Sequence, residues 1–200
     1  MESCFCFHRA SKFKSLSEVK SIMISNAAIE NRGEVNLTKV SINDLMNNFH
    51  GHGKVEWIGL RTGRREAMLS VSQANLVPGS GLEGDRFKGN LRSKRQVSLI
   101  QAEHLRAMAD MLGIKDLDPQ LLRRNIVISG VNLLALKGMQ FTLGSARLEM
   151  SGLCHPCSRM EEIFGPGGYN LVRGHGGIIA KVIEPGMVNI GSQLDNICQI

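Results

Sequence analysis

Cysteine, histidine and proline crowd together at Cys154-His155-Pro156-Cys157, followed by Ser158-Arg159-Met160-Glu161-Glu162-Ile163-Phe164-Gly165. This pattern predicts a short helix from about Cys157 to Phe164, with Pro156 at or before its first turn and Gly165 past its end. A cysteine at such a helix start faces unpaired N–H groups that favour thiolate over thiol, and His155 and Arg159 add positive charge. A thiolate there can attack an electrophile, accept a sulfur atom or ligate a soft metal centre. Three plainer readings stand beside this one. The pair could be half of a zinc site completed by Cys198 and His175, although no second Cys-x-x-Cys exists. It could be a thioredoxin-like dithiol, which wants its motif after the first strand of a βαβ unit. Or both cysteines could be inert and half-buried.

Three other constellations carry charge beside glycine or asparagine. Gly81-Leu82-Glu83-Gly84-Asp85-Arg86, followed by Arg95-Gln96-Val97, reads either as a turn braced by its own charges or as a holder of an anion, with Arg86 or Arg95 forking onto phosphate. Arg123-Arg124-Asn125 at a helix-to-strand junction is either a solvated basic corner or a set suited to an oxygen- and nitrogen-rich ring bearing phosphate. The glycines at 165, 167, 168, 174, 176 and 177 allow close approach to a ligand, with Arg173 and His175 as the ionisable groups.

The elements that must position these residues are mostly extended. Lys54–Leu60 and Arg65–Val77 read as strands, the second ended by Pro78-Gly79-Ser80-Gly81. Gln96–Ile100 leads into a helix with a Leu105, Met108, Ala109, Leu112 stripe, closed at Gly113. Asp118-Pro119 reads as an N-cap opening one or two turns through Arg123. Ile126–Ile128, Phe141–Met150, Gly177–Glu184 and Met187–Leu194 complete the strand set, the last two about Pro185-Gly186. Ser41–His50 reads as a short helix ended by Gly51. Many short strands with few short helices predict a mainly β fold, a closed or partly open β-barrel. Residues 1–38 show no sustained period and read as a mobile N-terminal extension, leaving 39–200 as the domain.

Composition sets the outer bounds. The 200 residues are 42% hydrophobic and 21% charged, as in an ordinary globular chain, and no apolar run reaches the ~20 residues of a membrane helix. Lys and Arg number 24 against 18 Asp and Glu, a net +6 that suits an anionic partner. Aromatic residues are only 4%, which argues against stacking on nucleic-acid bases. Five cysteines at uneven spacing do not make a disulfide framework, and the start lacks a secretory signal's apolar core, so the cytoplasm is the default.

Taken in order, Gly-Leu-Glu-Gly-Asp-Arg (81–86), Arg-Gln-Val-Ser-Leu-Ile (95–100), Arg-Arg-Asn-Ile-Val-Ile (123–128), Cys-His-Pro-Cys (154–157) and Gly-Gly-Ile-Ile-Ala-Lys-Val (177–183) resemble the MOSC domain, found at the C-terminus of molybdenum cofactor sulfurases. The resemblance runs from about Val55 to Leu194, with the family's closing Gly-Asp replaced by Gly191-Ser192. It implies a barrel with a cleft for the molybdenum cofactor (molybdopterin), with Cys157 matching the cysteine that ligates molybdenum or carries sulfur. Arg123 and Asn125 match the family's Arg-x-Asn, implied to contact cofactor. Arg124, Asp85, Arg86, Arg95, His155 and His175 complete the expected cofactor-binding set. The expected activity is reduction of N-hydroxylated compounds with electrons from an external reductase. The alternative is a sulfur carrier, fed by a cysteine desulfurase, without turnover of its own. Sulfurases also carry a pyridoxal-phosphate domain; the sequence offers no lysine motif for it, so that cofactor is a family association only. The resemblance implies small-molecule ligands, and neither a nucleic-acid nor a membrane partner is expected.

Overall fold

The computed structural model describes residues 41–200; the expected extension over 1–38 lies outside the described residues. The strands are β1 (Gly53–Arg61), β2 (Met68–Val71), β3 (Gln73–Val77), β4 (Gly81–Leu82), β5 (Val97–Gln101), β6 (Ile126–Ser129), β7 (Met139–Leu143), β8 (Ala146–Leu153), β9 (Ile178–Glu184), β10 (Gly186–Asn189) and β11 (Gln193–Gln199). The helices are α1 (Ile42–Met46), α2 (Ala102–Leu112), α3 (Pro119–Leu122), α4 (Arg159–Phe164) and α5 (Gly168–Val172), with a 3-10 turn at Leu133–Leu136.

Seven strands run in the order β11-β7-β8-β9-β5-β6-β1, and β1 pairs back onto β11, so the ring is closed. Closure joins Gly53 to Leu194 and Lys54 to Gln193. Strand β2 extends the wall as an edge beyond β1, and β10-β3-β4 form a small antiparallel sheet. The fold is therefore the mainly β closed barrel with a few short helices that the strand pattern implies.

Successive side chains on a strand face opposite ways, and β5 and β6 use both faces. Val97, Leu99, Ile126 and Ile128 point into the barrel core with Val55, Ile58, Phe141, Leu148, Ile178 and Leu194. Ile100 and Val127 point out, under Leu105 and Met108 of α2, Leu122 of α3, Met160 of α4 and Val172 of α5. These two strands pair in parallel, Leu99 opposite Ile126. Parallel neighbours need a crossover, which α2 and α3 supply.

Local signals explain the helix ends. Gly113, at φ 67° and ψ 26°, closes α2 in the left-handed conformation, and the Asp118 side chain accepts a hydrogen bond from the Gln120 N–H to start α3. Helix α3 ends at Leu122, because Arg123 itself turns left-handed at φ 54°.

Three expected stretches differ. Phe141–Met150 is a hairpin rather than one strand: Gly144 turns at φ 59°, where a Cβ would meet the Met187 carbonyl at 2.4 Å. Arg65–Val77 begins as a loop and breaks again at Ser72, giving β2 and β3 in different sheets. The end of the chain holds three strands, with Gly191-Ser192 in the turn between β10 and β11; there the Ser192 hydroxyl accepts from the Asn189 N–H at 3.0 Å. Helix α1 is only five residues long and buries none of them.

Candidate functional site

The end of β1 and the loop after it carry Arg61, Arg64 and Arg65. The turn after β4 carries Arg86, the α3–β6 junction Arg123 and Arg124, and the segment after β8 carries Cys157, Ser158 and Arg159. These residues line one cleft of about 340 Å³ with Leu122, Met160 and Glu162. Seven arginines and one cysteine thus converge from four separated parts of the chain. A larger cavity of about 480 Å³ between α2 and the outer face of β1 and β6 has an apolar floor of Ala102, Leu105, Ala109 and Leu117, and no cysteine or histidine. The smaller cleft is where the reactive groups are.

Two buried polar residues stand behind the cleft wall. The Asp85 carboxylate accepts from Arg61 Nε at 3.0 Å, from the second Arg61 guanidinium nitrogen at 2.7 Å, and from the Arg61 and Phe87 backbone N–H groups at 2.8 and 2.9 Å. Burial alone would raise the Asp85 pKa; the hydrogen bonds and charge of Arg61, with the Phe87 N–H, outweigh it and hold the carboxyl below its usual range. Asn125 is fully buried. Its carbonyl oxygen accepts from the Ser98 hydroxyl at 2.7 Å and the Ser98 N–H at 3.2 Å, and its amide donates to the Gly59 carbonyl and to Asp85 at 3.2 and 3.0 Å. Neither Asp85 nor Asn125 lines the cleft. They fix Arg61 and lock β1, β5 and β6 together.

Arg123 and Arg124 both brace loops from the cleft floor. Arg123 donates to the Glu66 carbonyl and, at 2.9 Å, to the Gly63 carbonyl. Burial, and then the charges of Arg159, Arg61 and Arg86, push its pKa down. Arg124 is 8% exposed and donates to the Gly176, Leu122 and Cys154 carbonyls at 2.7, 2.6 and 3.4 Å. Burial chiefly lowers its pKa as well. Among the described residues, two of the three non-glycine residues with positive φ, Arg65 and Arg123, lie in this cleft. Backbone strain of that kind collects at working sites.

Among the described residues, only Arg61 and Arg65 of the seven have carboxylate partners, Asp85 at 2.7 Å and Glu162 at 3.2 Å. The side chains of Arg64, Arg86 and Arg159 make no hydrogen bond there, and Arg159 Nε is buried with no acceptor. Guanidinium forks of this kind suit a phosphate or carboxylate.

Cys157 is exposed and lies just before α4, which starts only at Arg159 and has six residues. The expected place of Cys157 inside the first turn is thus corrected: Ser158, not Pro156, leads into the helix, and the cysteine belongs to the loop. Cys154 is 4% exposed. His155 lines a separate cavity of about 290 Å³ with Cys154, Pro156 and Arg173. His175 turns away to meet His104 of α2 ring to ring, at 5.0 Å and 85°. Both Nδ1 atoms are buried without a partner. Arg95 is exposed and does not line the cleft. Of the expected set, the cleft unites Cys157, Arg86, Arg123 and Arg124.

Arg61, Arg64, Arg65 and Arg159 were not among the expected ligand-binding residues. The signal for three of them is the run Arg61-x-x-Arg64-Arg65 at the exit of a strand. No described helix is long and apolar enough to cross a membrane, and no cluster of three or more His, Cys, Asp or Glu side chains among the described residues is arranged to hold a metal by itself.

The fold recurs in solved structures. The YuaD protein from Bacillus subtilis superposes with a TM-score of 0.64 at 18% identity, over 76% of this chain and 100% of that one. YiiM from Geobacillus stearothermophilus gives 0.59 at 14% identity, over 74% and 75%. YiiM from Escherichia coli gives 0.58 at 21% identity, over 76% and 72%. No curated protein sequence matches. The family model of the MOSC domain matches residues 50–195, from just before β1 into β11. With that span and this barrel, the chain belongs to the MOSC domain family.

Proposed function

We propose that the chain binds the molybdenum cofactor in the arginine cleft and reduces N-hydroxylated compounds there. The observation that carries this reading is the pairing of an exposed cysteine with free guanidinium groups in one cleft. The donor set fits the group: a sulfur for a soft metal, and cationic forks, one with a buried orphan N–H, for a pterin phosphate. Arg159, whose buried Nε has no acceptor, would hold the phosphate. Arg61, fixed by Asp85, and Arg123 and Arg124, fixed on carbonyls, keep the floor positive and rigid. Cys157 would provide the thiolate ligand. When bound, the cofactor supplies a two-electron redox centre that takes oxygen from nitrogen.

The net reaction is R–NHOH + 2 e⁻ + 2 H⁺ → R–NH₂ + H₂O. Its electrons come from a separate reductase, and the setting is the reducing cytoplasm. Molybdenum measured on protein from a molybdopterin-competent host tests the reading. Near-stoichiometric metal is expected in the wild type and its loss in Cys157→Ser. Wild-type content below about a tenth of an equivalent would reject it.

A second reading rests on the contrast between exposed Cys157 and buried Cys154. Cys157 can attack the terminal sulfur of a desulfurase persulfide, gaining a sulfur while the desulfurase cysteine leaves as thiolate. A persulfide on Cys157 with no reductase activity would favour this carrier role.

A further inference from the structure

The cleft holds more positive charge than one phosphate can offset. Seven guanidinium groups line it, and Asp85 and Glu162 are the carboxylates paired with them among the described residues. A phosphate dianion offsets two more of these charges, which leaves three without a partner. The surplus has an address. Arg123 and Arg124 are committed to backbone carbonyls, whereas Arg64 and Arg86 make no side-chain hydrogen bond, and Arg159 Nε is buried without an acceptor. Arg64 and Arg86 are exposed, so two of the three forks are open to a diffusing ligand while the third has a buried donor. Clefts of one sign focus their field and raise the local concentration of the opposite ion.

We propose that the substrate brings its own dianionic group, so that the site takes N-hydroxylated phosphate monoesters in preference to neutral N-hydroxy compounds. This rests on the reading that the cofactor phosphate occupies part of the same cleft. Arg64 and Arg86 reach the cleft from two neighbouring segments, the β1–β2 loop and the turn after β4. They form the substrate-anion subsite, while Arg159, through its buried Nε, serves the cofactor side. The neutral part of the substrate makes no demand on these forks, so the preference is carried by charge.

Three matched probes test this on the molybdenum-loaded chain: benzamidoxime, its para-carboxylate and its para-phosphate ester. Dissociation constants are read by titration calorimetry and KM by turnover. The phosphate ester should bind about tenfold tighter than the neutral probe at low salt. It should also bind more tightly than the carboxylate, and its advantage should shrink toward unity in about 0.5 M NaCl. Arg64→Ala and Arg86→Ala should each narrow the ratio between phosphate and neutral probes. Equal affinity for all three probes in loaded protein overturns this inference and leaves cofactor binding standing. A carboxylate that matches the phosphate ester overturns the dianion assignment. Protein that takes up no molybdenum overturns both.

Discussion

The Asp85 carboxylate holds the Arg61 guanidinium from behind, at 2.7 and 3.0 Å, and also accepts the Arg61 backbone N–H. The side chain of Asp85 is almost wholly buried, while that of Arg61 is 20% exposed and reaches the cleft. A buried charge thus fixes one that a ligand can meet.

Removing Asp85 should therefore cost more than a surface ion pair. Asp85→Asn leaves Arg61 without its counter-charge, and a loss of about 3–5 kcal/mol is expected in urea denaturation. A loss below about 1 kcal/mol would mean that Arg61 finds other solvation. The Asp85 pKa is lowered in the folded chain, so the folded state binds that proton more weakly. The stability it contributes is complete above the unfolded value of 3.8 and declines as pH falls below it through the folded value.

His104 gives the opposite experiment near neutrality. Burial, then the charge of His175, lowers its pKa below 6.5, against a smaller upward pull from Glu103. The unfolded chain then takes the proton first. Stability is complete above 6.5 and falls with pH through that value until the folded ring also protonates. Melting temperature should drop between about pH 7 and pH 5 in wild type and drop less in His104→Phe. Parallel curves would remove His104 as the cause.

Asn125→Asp should be worse than Asn125→Ala. The alanine leaves the Ser98 donors and the Gly59 carbonyl unpaired, at about 1–3 kcal/mol for each group. The aspartate keeps an acceptor for Ser98 but sets a charged oxygen against the Gly59 carbonyl and the Asp85 carboxylate. Denaturation midpoints of the two variants decide the order.

Arg124→Gln should loosen two loops at once, because one guanidinium spans the Cys154 and Gly176 carbonyls. Hydrogen exchange should quicken across both 154–157 and 174–177. Faster exchange in only one would show that the other is held by its own contacts.

Alkylation separates the cysteines. Iodoacetamide on native protein should label Cys157 and Cys198 quickly, and Cys154 only after unfolding. Peptide mass spectrometry reads each site, and early labelling of Cys154 would contradict its burial.

What could be read from the residues alone was local. Helix α2 and its Gly113 end, the Asp118 cap and the strands β5 and β6 follow from nearby residue types. The Gly144-Ser145 turn is marked only by a one-residue slip in phase, from apolar 139, 141 and 143 to apolar 146, 148 and 150, which a single-strand reading passes over. The cleft was legible only at Cys157, Arg86, Arg123 and Arg124. Arg61, Arg64 and Arg65 lie almost one hundred positions from Cys157, and only ring geometry brings them together. Asn125 shows a different limit. Its side chain has the inventory of a ligand contact, and nothing in sequence says that neighbours have already used every group.

The closing pair, Gly53 with Leu194 and Lys54 with Gln193, has a further consequence during synthesis. A ribosome releases β1 long before β11, so the ring stays open until β11 has emerged. Until then the edges of β1 and β7 lack the partner that completes them, and each is open to pairing with another nascent chain. Strand β11 thus acts as a late latch. Nascent chains stalled before β11 should need chaperone protection that finished chains do not.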